Sequence, residues 1–396
     1  MDLLKPRSSS GAPIDTLQLL SKTLSIPEQD LLLIATLSPD EKYRLIKIPK
    51  GDGSFRRVYS LHPKMRFVQG RINTRIFKEL TRFPDYLFGS VPNKNDPAES
   101  DIKRDYISCA SSHCGAKTLL KVDIKDFFDN IHQDLVRDIF KDIFIIDGEA
   151  LDYISDICCK DGFVVQGALT SSYLATLCLY KKEHDVVKRA RRKSLVYTRL
   201  VDDITVSTKV SNYDFSQIKS HIESMLAEHD LPINNNKTKI YYSSSQPLKV
   251  HGLRVDFNTP RLPSDEVKRI RASVHNISEL SKKNNTKTSV AYRKEYNRCM
   301  GRVHKLKRVG HEKYSVFIKK LKDIKPLPSH RDVKIAVSAV ESLEISFNKG
   351  NNHKNWYERK YDLAIYKLII LERADAFSQL VSDLRNRLKG IKPHGR

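Results

Sequence analysis

Apolar and polar positions recur with different periods along the chain, and each change of period marks an element. Leu119-Leu120-Lys121-Val122-Asp123-Ile124 is an apolar run that closes on an aspartate and is followed by Phe127-Phe128, the pattern of a buried strand delivering a carboxylate to its end. Tyr197 to Val201 and Ile204 to Ser207 are β-branched and apolar on both sides of Asp202-Asp203, which predicts a tight hairpin with carboxylates at its turn. Between these segments, Gln166-Gly167-Ala168-Leu169-Thr170-Ser171-Ser172 is small and polar and opens onto an apolar helical stretch through Cys178-Leu179. Such a loop lets a nucleotide or base approach the backbone and sets helix N-terminal N–H groups beside it; an ordinary Thr or Ser cap is the plainer alternative.

The flanks read as helices. Ile14 to Leu37 is patterned in two pieces divided near Pro27, and Ser25 with Glu28 three residues later reads as a capping box opening the second. Asp265 to Leu280 and Thr288 to Arg308 have helical period. Lys325-Pro326-Leu327-Pro328 marks a short linker. Beyond it, Leu363, Tyr366, Ile370, Phe377, Leu380 and Leu384 predict one or two amphipathic helices that pack by these residues, with RNA binding or self-association as the sharper reading. Met1 to Ala12 is rich in Ser, Gly and Pro and is expected to be disordered.

Charge changes the picture by naming a partner class. The 396 residues carry a formal charge of +23, and Leu262 to Arg396 holds 31 Lys and Arg against 14 Asp and Glu. A polyanion is implied, nucleic acid first. Arg269, Arg271, Lys305, Lys307 and Arg308, on the two predicted helices, offer phosphate contacts, unless they form merely a solvated face. Such contacts give affinity and salt dependence without sequence readout. The chain lacks a signal-peptide core and any apolar run near the ~18 residues of a membrane span, so a soluble cytoplasmic protein is expected. Six cysteines show no metal-site spacing and read as reduced thiols.

Clustered carboxylates supply the candidate chemistry. Carboxylate oxygens are hard ligands for Mg²⁺ or Mn²⁺, and two such ions about 3.5–4 Å apart can clamp the attacking and leaving oxygens of a phosphoryl displacement. An Asp-Asp pair in a hairpin is otherwise just a solvated turn.

The order of aspartate strand, Gln-Gly loop with helix, and Asp-Asp hairpin resembles the palm of reverse transcriptases, specifically the bacterial retron-type branch. Upstream, Lys50-Gly51-Asp52-Gly53-Ser54-Phe55-Arg56-Arg57-Val58-Tyr59-Ser60 and Pro63 to Gln69 resemble the family's fingers hairpin and the segment after it. Ala110-Ser111-Ser112-His113 matches part of a segment typical of retron-type enzymes, with Cys109 where Asn is usual. Asn234-Asn235-Asn236-Lys237-Thr238 and Val250-His251-Gly252-Leu253 resemble the last palm motif and the primer grip. The resemblance covers roughly residues 20 to 330. It implies an α+β right-hand polymerase fold, with N-terminal helices and fingers over 13–118, an antiparallel palm over 119–261 with an insertion at 134–165, a basic helical thumb over 262–325 and a helical extension over 326–396.

Roles follow from the same resemblance. Asp123 and Asp202 are implied as principal ligands of two Mg²⁺ ions, Mn²⁺ being an alternative, with Asp203 in support and Ile124 lending its carbonyl. Phe128 is implied as the aromatic that excludes a 2′-hydroxyl, which makes dNTPs the substrates. Gln166 and Gly167 would line the nucleotide, Lys50 and Arg56 neutralise the triphosphate, and Lys237 act as general acid toward pyrophosphate. His251 and Gly252 would join the basic helices on the RNA/DNA duplex. His113 is implied as structural or RNA-facing, not catalytic.

The implied activity is RNA-directed DNA synthesis from an associated non-coding RNA, serving antiphage defence, with a second copy of the chain or an effector protein as open partners. Leu200-Val201 stands where the family usually has an aromatic and Ala, and Leu169 and Ser172 replace prolines of the Gln-Gly loop, which is expected to free its backbone. Similar drift occurs in abortive-infection enzymes. Untemplated or protein-primed DNA synthesis, an intron-type enzyme, and a catalytically weak RNA-binding scaffold therefore stay as alternatives.

Overall fold

The two carboxylate segments pair with each other. In the computed structural model, residues 4–9, 11–49, 51, 53–92 and 103–393 are described, and the chain divides into two compact units, 1–261 and 262–396. In the first, strands β1 (Arg7–Ser8), β2 (Tyr43–Pro49), β3 (Phe55–Leu61), β4 (Thr81–Arg82) and β5 (Leu87–Phe88) precede β6 (Thr118–Asp123). After it come β7 (Cys159–Lys160), β8 (Phe163–Val164), β9 (Val196–Leu200), β10 (Asp203–Thr208), β11 (Lys239–Tyr242), β12 (Lys249–Val250) and β13 (Leu253–Arg254). The helices interleaved with them are α1 (Leu17–Leu24), α2 (Glu28–Ala35), α3 (Pro39–Lys42), α4 (Pro63–Ile72), α5 (Tyr106–Ser112), α6 (Gln133–Phe144), α7 (Gly148–Cys158), α8 (Ser171–Leu177), α9 (Glu183–Arg192) and α10 (Ser216–Ala227).

A five-stranded sheet in the order β11-β6-β10-β9-β5 carries the carboxylates, antiparallel except where β5 joins β9. Its register sets Asp203 opposite Asp123 and Ile204 opposite Val122. Alternation then sorts the side chains. Leu120, Val122, Ile204 and Val206 enter one continuous core with Phe140 of α6, Leu174 of α8, Val187 of α9 and Ile222 of α10. Thr198 and Ser207 are buried beneath α5, which packs on β9 and on the β12–β13 hairpin.

Two expectations are corrected here. Ser25 opens no helix: it ends α1 in left-handed backbone at φ 51°, its N–H turned back to Lys22 and Ser21 carbonyls, and α2 follows Pro27 without a side-chain cap. The capping box belongs to Ser38 and Glu41, whose side chains each bond the other's backbone N–H at the start of α3. The expected disorder of the N-terminal stretch does not hold at Leu4 to Ser8: Arg7 and Ser8 pair with Arg82 and Thr81, and Tyr86 Oη donates to the Leu4 carbonyl at 3.0 Å. Backbone pairing of this kind needs no apolar side chains, so composition misses it.

The second unit is helical: α11 (Ser264–Ser281), α12 (Val290–Arg308), α13 (Lys313–Asp323), α14 (His330–Asn348), α15 (Asn355–Leu371) and α16 (Ser378–Gly390). Tyr357, Tyr361, Ala364, Leu368 and Leu371 are the buried stripe of α15, packed with Val381, Leu384 and Leu388 of α16. The stripe read from sequence is the wrong one on this helix, for Leu363 and Tyr366 are 51% and 55% exposed. Apolar side chains stand on both the buried and the exposed face of this helix, and two tyrosines reach the core because their hydroxyls satisfy the Ile391 and Leu388 carbonyls at 2.7 and 3.1 Å.

Candidate active site

A strained turn presents the Asp pair. Val201, between β9 and β10, has φ 60°, a left-handed backbone costly for a β-branched residue. Arg199 holds that turn from below. Wholly buried, it meets Glu183 through Nε at 2.6 Å and Nη2 at 2.8 Å, and donates to the carbonyls of Ala175 at 3.1 Å, Thr176 at 2.7 Å and Val201 at 3.1 Å. Tyr197 Oη donates to the same Glu183 oxygen that Arg199 Nε reaches, at 2.8 Å.

Asp123 and Asp202 open onto one cleft of about 830 Å³, which Ile124, Phe128, Gln166, Arg56 and Lys237 also line. The Ile124 N–H donates to the Asp202 carbonyl at 3.3 Å, tying the end of β6 to the turn. Two side chains of the same cleft hold Asp123: Asn234 Nδ2 donates to Oδ2 at 3.0 Å, and Lys237 Nζ lies 3.4 Å from Oδ1 and 3.3 Å from Oδ2. Asp203 turns instead to His251, whose Nδ1 is 3.5 Å from Oδ2.

Electrostatics divide the pair. Burial, then the Asp203 and Asp123 charges, pushes the Asp202 carboxyl above the ordinary aspartate range. Burial pushes the Asp203 carboxyl the same way, but the hydrogen bond from His251, with the Lys121 and Lys237 charges, outweighs it and brings the net shift down. Among the described residues no three His, Cys, Asp or Glu side chains are gathered into a metal cage. The donor set still suits a hard divalent cation: two carboxylates face one cleft, and burial with carboxylate repulsion raises one of them, a cost that a cation relieves.

The loop between the carboxylate segments is fixed on its own neighbours. Leu169 N–H donates to Gln69 Oε1 at 2.8 Å and its carbonyl accepts from Asn73 Nδ2 at 2.7 Å, while Gln69 Nε2 donates to Tyr43 Oη and the Ile157 carbonyl at 3.0 and 2.8 Å. Loss of the proline at 169 therefore does not free the backbone; it supplies an N–H that Gln69 captures. Gly167 lies against β3, beside a second space of about 560 Å³ lined by Ile48, Val58, Arg56 and Gln166.

The remaining predicted residues scatter. Lys50 lies outside the described residues. His251 is 11% exposed and faces inward, while Gly252 is exposed at φ 81°. In the second unit Arg269 pairs with Asp265 and Lys305 with Glu266 at 2.8 Å, whereas Arg271, Lys307 and Arg308 are exposed. His113 does not face RNA: it is buried between Ser207 Oγ and Thr198 Oγ1, each 2.7 Å away, and burial pushes its imidazole down to about 3. Asn234, Gln69, Asn73 and the Arg57–Asp129 pair, 3.5 Å apart across the cleft, were not predicted. Asn234 and Gln69 stand within the quoted motifs, but nothing in a single sequence says what each would hold.

Known proteins decide the family. The model of the family described as "Reverse transcriptase (RNA-dependent DNA polymerase)" matches residues 48–287. The Retron Ec48 reverse transcriptase of Escherichia coli is 66% identical over 393 residues, covering 99% of this chain and 96% of that protein. The chain belongs to the retron-type reverse transcriptases. The Retron Se72 reverse transcriptase of Salmonella heidelberg is 30% identical over 314 residues, 78% of each protein. Among solved structures, apo telomerase from Candida tropicalis covers 96% of this chain and 75% of its own at 12% identity and a TM-score of 0.41, a likeness too weak to argue from. As a retron-type reverse transcriptase the protein is an RNA-directed DNA polymerase of right-hand α+β fold, ending in helices. No described helix is long and apolar enough to cross a membrane.

Proposed function

We propose that this reverse transcriptase copies an associated non-coding RNA into DNA at the Asp123–Asp202 cleft, and that it serves bacterial antiphage defence. One observation carries the chemistry: Asp123 and Asp202 share a cleft with an aromatic, an amide and a guanidinium, Phe128, Gln166 and Arg56. Two divalent cations, Mg²⁺ or Mn²⁺, held there by Asp123, Asp202 and the Ile124 carbonyl, would supply charge neutralisation and a clamp on the attacking and leaving oxygens. Asp203 adds a supporting charge.

The chain's own groups do the rest. Arg56, a planar fork, and Lys50, a point charge, neutralise the triphosphate of a dNTP. Gln166 orients sugar and base, and Gly167 keeps that loop against the fingers. Phe128 excludes a 2′-hydroxyl, so Phe128→Ala admits ribonucleotides; unchanged sugar selectivity would count against it. Lys237, beside Asp123, delivers a proton to departing pyrophosphate. Gly252 in the first unit, and Arg269, Arg271, Lys305, Lys307 and Arg308 in the second, serve the RNA/DNA duplex; His251, turned inward, does not contact it. Retron-type membership supports the RNA partner, the defence role and a cytoplasmic location, with an effector protein or a second copy as further partners.

The test is to purify the protein from its own locus, sequence the nucleic acid that co-purifies, and repeat this with Asp202→Ala and Asp203→Ala combined. A discrete RNA with complementary DNA, the DNA and phage resistance both lost in the variant, is expected. DNA without a complement in the bound RNA would favour untemplated synthesis, and incorporation surviving in the variant would remove the site.

A further inference from the structure

The contact between His251 and Asp203 is the first link of a longer chain. His251 Nε2 lies 3.3 Å from Cys109 Sγ, which is 3.3 Å from Thr198 Oγ1, and Thr198 leads on to His113 and Ser207. One hydrogen assignment satisfies every member: Cys109 donates to His251 Nε2, leaving the Nδ1 proton for the Asp203 carboxylate, and Thr198 donates to Cys109 while accepting from His113. The chain ties three pieces of backbone, α5, the β9–β10 hairpin and the β12–β13 turn, to one carboxylate.

The turn aims the ring. His251 and Gly252 occupy the two-residue loop between β12 and β13 with both φ values positive, 47° and 81°. Gly or Asn fills such a position at less cost than His, so the imidazole is held there by what it touches. A nucleophilic reading of Cys109, His251 and Asp203 fails, because the thiol is wholly buried and pushed up to about 12 by that burial.

We propose that His251 is a positioning residue for Asp203, oriented by Cys109, so that the turn resembling a primer grip and the Asp-Asp turn are fixed as one unit. The proposal rests on the reading of Asp202-Asp203 as the active site. It assigns His251 to the carboxylate, with Gly252 alone left on the outer face of the turn.

The test is steady-state dNTP incorporation by the full chain on an RNA template with an annealed DNA primer. His251→Ala is expected to lower kcat at least tenfold with KM for dNTP within twofold, and with primer–template affinity and melting temperature near those of the parent. His251→Asn, which tolerates the turn and restores a donor, should recover kcat to within threefold. Cys109→Ala should give a smaller loss that disappears in the His251→Ala background, as expected for residues acting in series. Full activity in His251→Ala, or equal losses in the Ala and Asn variants, would overturn the proposal. Asp202→Ala run alongside separates the two readings: an inactive Asp202→Ala with an unimpaired His251→Ala leaves the site standing and removes the positioning role, whereas an active Asp202→Ala removes both.

Discussion

Gly167 and Tyr59 are in backbone contact: a β-carbon on Gly167 would stand 2.5 Å from the Tyr59 carbonyl oxygen and 2.8 Å from Val58 Cγ1. The Tyr59 N–H donates to the Gln166 carbonyl at 2.8 Å, so the Gln166-Gly167 loop rests on the base of the β2–β3 hairpin. The glycine is needed for this approach and for its φ of +106°, which side chains rarely adopt. Gly167→Ala must therefore push loop and hairpin apart. kcat/KM for dNTP should fall more than tenfold while RNA affinity stays within twofold; an unchanged kcat/KM in a primer-extension assay would show that the contact has slack.

The Arg199–Glu183 pair beneath the Asp202-Asp203 turn gives a stability prediction. Both side chains are essentially inaccessible, and removing the carboxylate strands a buried guanidinium. Glu183→Ala should destabilise the protein by about 3–5 kcal/mol, and replacing both partners by Leu and Met should recover only part of that loss, because the Ala175, Thr176 and Val201 carbonyls and the Tyr197 hydroxyl then lose their partner. The denaturant midpoints of the parent and the two variants check it. Because Arg199 also holds the Val201 carbonyl, the double replacement should regain part of the stability and still incorporate poorly. Recovery of both together would separate this arginine from the turn.

Much of the site was legible because it is local. Alternation in Leu119 to Asp123 and the turn chemistry around Asp202 fix two strands and the ends at which carboxylates emerge, whatever else folds around them. What stayed hidden is set by partners far along the chain. Asn234 meets Asp123 from 111 residues away, Gln69 meets Leu169 from 100, and Cys109 meets His251 from 142. Pattern also fails where two answers share one pattern, as on α15, whose unburied stripe is as apolar as its buried one. Ser25 fails for a related reason: the residue that suits a helix start also serves a left-handed helix end.

His113 yields a pH prediction whose sign is fixed by burial. The folded imidazole is held down at about 3, against 6.5 for an ordinary histidine, so between those values the unfolded chain takes up a proton that the native one refuses. The stability it contributes is complete above pH 6.5 and drains as the pH falls toward 3, by up to ~1.4 kcal/mol per unit. Asn at this position keeps a donor and an acceptor for Thr198 and Ser207 without a titrating group. His113→Asn should cost stability at pH 7.5 through imperfect packing, yet its deficit should shrink by about 2 kcal/mol at pH 5.0, because only the parent is acid-sensitive there. Urea melts of both proteins at the two pH values measure the difference. A deficit that does not change with pH would mean that the native fold accommodates a charged His113, and with it that the polar chain under the sheet is open to water.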